Sequence, residues 1–214
     1  MKSVLIAGMG RFGKHLAQKL FDMGDEVMAI DSNEKRINEV LSYVTAAQIG
    51  DSTDEQFVAS IGIENFDVCV VAIGDDFQSS LETTALFKDL GAKFVLARAT
   101  RDIHAKFLLR NGADQIIYIE KEMAERTAVK YGSENVFDYV ELTPEYSIYE
   151  IPVPPSWAGK TIFQKEIRSK YHISILATKL DGNVNPLPKP DHVMDSAETL
   201  IIMGKNTDVK KLVK

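Results

Sequence analysis

Val4-Leu5-Ile6-Ala7-Gly8-Met9-Gly10-Arg11-Phe12-Gly13 opens this chain, and an acid, Asp31, closes the next apolar run, Glu26–Ile30. An apolar run of strand length, then G-x-G-x-x-G, then helical spacing, is the phosphate-binding turn of a nucleotide-binding βαβ unit. Each part has a physical task. Gly8 permits the tight turn, Gly10 lets phosphate approach the backbone, and Gly13 lets the helix pack close to the sheet. Met9, Arg11 and Phe12 complete the loop. Backbone amides at the helix N-terminus face the phosphates, aided by the helix dipole. Asp31, with Ser32 beside it, would accept hydrogen bonds from ribose hydroxyls and would repel a 2′-phosphate, which disfavours NADP. The competing reading is a glycine turn that has lost its ligand. Three glycines and the acid together favour a retained nucleotide.

Outward from this turn, residues 2–119 alternate short apolar runs with helical stripes. The runs are Val4–Ala7, Glu26–Ile30, Ala46–Ile49, Val68–Ile73, Phe94–Ala97 and Ile116–Ile119. Continuous apolar runs are the mark of parallel strands buried on both faces. Phe12, Leu16, Leu20 and Met23 form one stripe, Ile37, Val40 and Leu41 another, and Leu86, Phe87 and Leu90 a third. His104–Leu109 is a shorter helix, closed at Asn111-Gly112. The expected fold is α/β: a Rossmann-like, doubly wound parallel sheet over residues 1–120.

Composition narrows the function classes. The net charge of -6 opposes binding to a nucleic-acid backbone. No stretch approaches the ~20 apolar residues of a membrane span. The N-terminus enters a strand at once, so the expectation is a cytoplasmic chain without direct membrane insertion. The one cysteine, Cys69, sits in an apolar run and reads as a buried structural thiol. The four histidines are scattered without metal-ligand spacing, which disfavours a transition-metal enzyme.

Further site candidates follow the strands, where an α/β sheet binds its ligands. Asp51, with Ser52, either caps the next helix or contacts adenosine. Ala72, Ile73 and Gly74 end the fourth strand near the crevice, and Asp75 and Asp76 begin a helix there. Arg98 and Glu120 follow the fifth and sixth strands. They form either an ordinary ion pair or, beside a polyphosphate, contacts to phosphate and a divalent cation. A nicotinamide enzyme would need a proton donor and a substrate pocket, and no Tyr-x-x-x-Lys pair or nucleophile elbow is present.

After residue 120 the texture changes. Glu120–Tyr131 reads as an amphipathic helix, ended by Gly132, with a short second helix over Ser133–Tyr139. The first helix either packs on its own domain or leaves it for a partner subunit; residues 121–140 are the linker. Residues 141–214 read as a small α+β module: strand Ser147–Val153, helix Gly159–Ile167, strand Ile173–Lys179, turn Asp181-Gly182-Asn183, strand Thr199–Met203, and a helix capped at Asn206 or Thr207. At about 70 residues such a module gains by pairing with a copy of itself.

Gly8–Gly13, Asp31, Gly50-Asp51-Ser52-Thr53, Val71–Gly74, Gly112-Ala113-Asp114 and Glu120-Lys121-Glu122-Met123 occur here in an order and spacing that resemble the KtrA and TrkA family. These are cytosolic regulatory subunits of bacterial potassium uptake systems, with an RCK (regulator of K+ conductance) N-domain and a smaller RCK C-domain. The resemblance covers essentially the whole chain. It implies a homodimer joined through the segment after residue 120, an octameric ring of four dimers, and a membrane potassium-translocating subunit as partner. It implies a non-enzymatic switch that binds ATP or ADP, with NAD or NADH as the alternative. By resemblance, Arg11 and Glu120 would act near the γ-phosphate, Glu120 with a magnesium ion, and Arg98 would add a phosphate contact.

Some C-domains of this family bind cyclic di-AMP. The resemblance places that site on Arg168, Ile173, Ile175, Asn185 and Pro186, with His172 standing where many relatives have glycine. Two other readings stay open: an NAD-linked oxidoreductase with a cryptic base, and an NADH redox sensor with another partner.

Overall fold

Alternate residues of a strand point to opposite faces of its sheet, and both faces are apolar here. Leu5, Ala7, Cys69, Val71, Val95 and Ala97 are buried in one core cluster with Phe87 and Leu108. Their neighbours Val4, Ile6 and Val70 are buried in another, with Ala17, Ile37 and Val40. The computed structural model describes residues 1–132 and 135–213. They form two compact units, one up to Glu120 and one from Lys121 onward.

The first unit runs β1 (Ser3–Ala7), α1 (Arg11–Asp22), β2 (Glu26–Asp31), α2 (Glu34–Asn38), β3 (Ala46–Ile49), α3 (Glu55–Ile61), β4 (Val68–Val71), α4 (Phe77–Asp89), β5 (Val95–Arg98), α5 (Asp102–Arg110) and β6 (Gln115–Ile117), and α6 (Ile119–Gly132) begins in it. The strands form one sheet in the order β3-β2-β1-β4-β5-β6. All its pairings are parallel. The order reverses between β1 and β4, so their carboxyl ends splay apart and open a crevice.

The stripes are narrower than the sequence implies. Met23 is exposed because α1 ends at Asp22 and Gly24 turns the chain with φ +86. Leu41 is exposed because α2 stops at Asn38 and Leu41 falls in a 3-10 turn. Cys69 is fully buried, and burial pushes its thiol up to about 12.

The second unit continues with β7 (Asp138–Glu141), β8 (Tyr146–Pro152), α7 (Ile162–Lys165), α8 (Ile167–Tyr171), β9 (Ile173–Leu180), β10 (Asn183–Asn185), β11 (Thr199–Lys205) and α9 (Asn206–Leu212). Its antiparallel sheet has the order β10-β9-β11-β8-β7. Burial alternates along β8, and the inward residues Tyr149 and Ile151 pack with Trp157, Leu200 and Ile202.

Three expectations are corrected here. The second helix expected over 133–139 is not one: Ser133 and Glu134 lie outside the described residues, and Asp138–Glu141 pairs antiparallel with β8. Within this strand buried Tyr139 is followed by exposed Val140. The helix over Gly159–Ile167 is instead α7 and α8, broken at Glu166 with φ 49 after a Thr161–Gln164 capping box starts α7. Asn206 does not cap α9, whose N-cap is Lys205. The Asn206 side chain accepts at Oδ1 from the Tyr149 hydroxyl at 3.0 Å and donates from Nδ2 to the Pro144 carbonyl at 3.1 Å.

Candidate nucleotide-binding site

The glycine loop is held from both sides. Gly8 takes φ +96 and donates its amide to the Ile30 carbonyl at 2.9 Å. A Cβ on Gly13 would be driven into the Gly8 carbonyl oxygen, so only glycine lets α1 sit this close. Gly10 differs: nothing lies within 4 Å of where its Cβ would be. That open side leaves the backbone there accessible.

Asp31 fixes the loop across strands. Its Oδ2 accepts from the Met9 amide at 2.7 Å and from Arg36 Nη1 at 3.5 Å, and its Oδ1 from the Asn33 amide at 2.8 Å. A carboxylate offers about four lone-pair sites, so acceptor capacity remains for a ribose hydroxyl. Helices α2, α3 and α4 have side-chain caps in Asn33, Asp54 and Asp76. By contrast, α1 begins at Gly10 with no side-chain cap and no acid in its first turn. Its first amides and the positive end of its dipole are left for an outside anion.

These elements line a cleft of about 570 Å³, within the usual ~300–1,000 Å³ of ligand sites. Of the residues expected there, Gly8, Gly10, Arg11, Phe12, Asp31 and Ser32 line it, as do Asp51, Ser52, Ala72, Ile73, Gly74, Arg98 and Glu120. Met9 and Gly13 do not. The Met9 side chain is buried in the core, and Gly13 packs beneath the loop. Asp51 caps no helix; it accepts from the Thr53 amide and hydroxyl at 2.9 and 2.8 Å, while Asp54 caps α3. Asp76 caps α4, and the Ser79 amide holds its carboxyl below the usual range.

His15, Arg36, Ser79 and Ile119 also line the cleft and were not singled out from sequence. His15 was findable, being one helical turn after Arg11 on α1.

At the far end, Arg98 Nη2 donates to Glu120 Oε1 at 2.9 Å. The Glu120 carboxyl lies below its ordinary value, chiefly through its own backbone amide, then through Arg98 and Arg11. The Arg98 guanidinium lies against Gly74, where a Cβ would be 2.7 Å from Nη1. Its Nε is buried without a hydrogen-bond partner among the described residues. Among those residues no cluster of three or more metal-ligating side chains occurs, so a cation at Glu120 would need ligand oxygens to complete its shell.

The second unit has a separate groove of about 520 Å³, lined by Phe163, Arg168, Ile175, Pro188 and Pro190 among others. Arg168 and Ile175 are on it. Ile173 is not, because it is buried in the core; Asn185 and Pro186 lie off the lining too. His172 ends α8 with φ 54, so its side chain alters a turn and does not narrow the groove.

The family model of the TrkA-N domain matches residues 4–119. The Ktr system potassium uptake protein C of Bacillus subtilis (strain 168) is 39% identical over 213 residues, which is 100% of this chain and 96% of that protein. The chain belongs to the KtrA/TrkA family. The Ktr system potassium uptake protein A of the same organism is 38% identical over 210 residues, covering 98% of this chain and 95% of that protein. A structure of the GsuK channel bound to NAD superposes with a TM-score of 0.72 at 17% identity, covering 100% of this chain and 39% of that one. That likeness is one of fold, and this KtrA/TrkA chain spans about two fifths of the GsuK chain. Among the described residues, no helix is long and apolar enough to cross a membrane.

Proposed function

We propose that this KtrA/TrkA chain is the cytoplasmic, nucleotide-binding gating subunit of a potassium uptake system, switched by the adenine nucleotide in its glycine-loop cleft. One observation carries the reading. The uncapped N-terminus of α1 lies at Gly10, whose Cβ side is open, and the same cleft holds the half-buried Arg98, whose Nε has no hydrogen-bond partner among the described residues. Both ends are built for phosphate. ATP and ADP share the contacts at Asp31 and the glycine loop. Only ATP carries a γ-phosphate for Arg11 and a Glu120-bound magnesium ion, while Arg98 adds a further phosphate contact. A ligand shifts a conformational equilibrium only through its differential contacts, and the γ-phosphate is that difference. Nothing in this scheme needs a covalent step.

The partners follow from family and surface. α6 buries none of its residues, and Met123 and Tyr131 are exposed. An apolar side left uncovered suits a homodimer through α6, with dimers building an octameric ring against a membrane potassium-translocating subunit. Arg168 and Ile175 support cyclic di-AMP as a second ligand in the groove of the second unit. Its purine wall would come from Phe163, Pro188 and Pro190, in place of Ile173, Asn185 and Pro186.

Thermal unfolding of the full chain with ATP, ADP and NADH, with and without magnesium, tests the reading. The expected result is stabilisation by ATP that grows with magnesium and exceeds that by ADP. A response to NADH alone would favour the second reading, a redox sensor, for which the NAD-bound GsuK channel is the supporting likeness.

A further inference from the structure

We infer that Glu120 is a built-in competitor for the phosphate site: Arg98 holds Glu120 until a nucleotide phosphate displaces it, and the exchange releases the first turn of α6. The inference rests on the nucleotide reading of the cleft.

The sheet fixes the backbone of Arg98. This residue ends β5 and pairs through its backbone with Ile117 of β6, and its side chain is only 17% exposed. Gly74 removes the one side chain that would block the guanidinium, which lies over the bare Cα. A largely buried cation needs a counter-charge, and Glu120 supplies it through one bond, from Nη2 to Oε1. That bond leaves the guanidinium incompletely used, because Nε is buried and unpartnered among the described residues. One carboxylate on one nitrogen is a poor match for a planar fork of five donors. A phosphate, with three terminal oxygens, fits that fork better.

Glu120 has the opposite character. Its side chain is 57% exposed, so water can take the place of Arg98. It stands in the first turn of α6. A helix N-terminus stabilises a nearby anion without a cation's help. Exchange therefore improves the bonding of Arg98 and costs Glu120 little. It also removes the side-chain tie between β5 and the start of α6.

ADP and adenosine binding to the full chain, measured by calorimetry in EDTA, tests this with wild type, Glu120→Gln and Arg98→Gln. Glu120→Gln leaves Arg98 without its resident anion, so the ratio of ADP to adenosine affinity should rise three- to ten-fold, while Arg98→Gln should lower it at least ten-fold. Hydrogen exchange over residues 119–123 supplies a second readout. It should quicken when ADP binds wild type, and should already be quick in ligand-free Glu120→Gln. An unchanged or reduced ratio in Glu120→Gln, with wild type binding ADP, overturns the competitor and leaves the nucleotide site standing. Slower exchange of residues 119–123 with ADP also overturns it. Failure of wild type to bind either compound removes the nucleotide reading and the competitor together.

Discussion

Gly13 and Gly10 belong to one motif, yet their surroundings predict different failures. A Cβ on Gly13 meets backbone, which cannot yield as a side-chain tip can, whereas Gly10 faces open space. Gly13→Ala should destabilise the chain by about 1–3 kcal/mol, the usual cost of overpacking. Gly10→Ala should change stability little in the same urea titration, while weakening ADP binding more than ten-fold. His172 is a third such position. A non-glycine residue at φ 54 is strained, so His172→Gly should raise stability by about 0.5 kcal/mol, the relief being partly offset by the freer unfolded chain. Cys69 should resist a thiol reagent at pH 8 in the native state and react fully in denaturant, since burial pushes its thiol to about 12. At this scale the motif residues were legible because their spacing reports a backbone task. The scaffolding role of Asp31 was not, because its bond to the Met9 amide spans 22 positions. Nothing local marks such a bond.

Among the elements, α4 and α5 are joined by a buried polar contact that sets a pH dependence. His104 on α5 is 1% exposed; its Nε2 lies 3.2 Å from Ser80 Oγ of α4 and its Nδ1 lies 3.4 Å from Thr100 Oγ1, with the Phe77 ring 4.9 Å away. Burial, then the Arg101 charge, holds its pKa below the ordinary 6.5. The unfolded chain therefore takes up this proton first, so the stability His104 provides is complete above pH 6.5 and is lost as pH falls through the folded value. His104→Gln should flatten the stability profile below pH 6.5, measured by urea unfolding. Asp114 acts lower on the scale. The Val95 amide, then Lys88, depress it from 3.8, so its contribution persists above that pH and declines below it. Asp114→Asn should give a shallower loss of stability below pH 4.

The same elements show why reading from sequence succeeds and fails. The inner strands β1, β2, β4 and β5 were legible because sheet faces covered on both sides demand continuous apolar runs. The run 136–140 was ambiguous because Val136, Phe137 and Val140 fit a helix stripe as well as a strand. The turn signal in Leu142-Thr143-Pro144-Glu145 decides it: Tyr146 donates its amide to the Thr143 carbonyl at 3.2 Å, closing a hairpin. The second groove was only half legible. Ile173 and Ile175 share one face of β9, and the β9–β11 register shift falls past both, at Leu176, so strand period alone does not separate them. Ile173 is buried in the core while Ile175 reaches the groove.

At the scale of the whole chain, the cores of the two units share no residue: the clusters of the sheet over residues 1–120 are built from Val4 to Ala113, and that of the second unit from Val136 to Val209. The cleft belongs wholly to the first unit. A ligand stabilises only what must be folded to bind it, by ~2.7 kcal/mol at a hundred-fold excess over Kd. ADP at that excess should therefore slow amide exchange of the most protected residues in β1, β4 and β5 about a hundred-fold. Those in β8, β9 and β11 should stay within about two-fold of the ligand-free rate, because their opening does not disturb the cleft. Equal protection of both sets would mean that the chain opens as one cooperative body. In that case nucleotide would act through global stability, and the switch would have to lie in assembly contacts between chains. Protection confined to the first unit places the ligand's free energy where the glycine loop, Arg98 and the start of α6 can spend it on a local rearrangement.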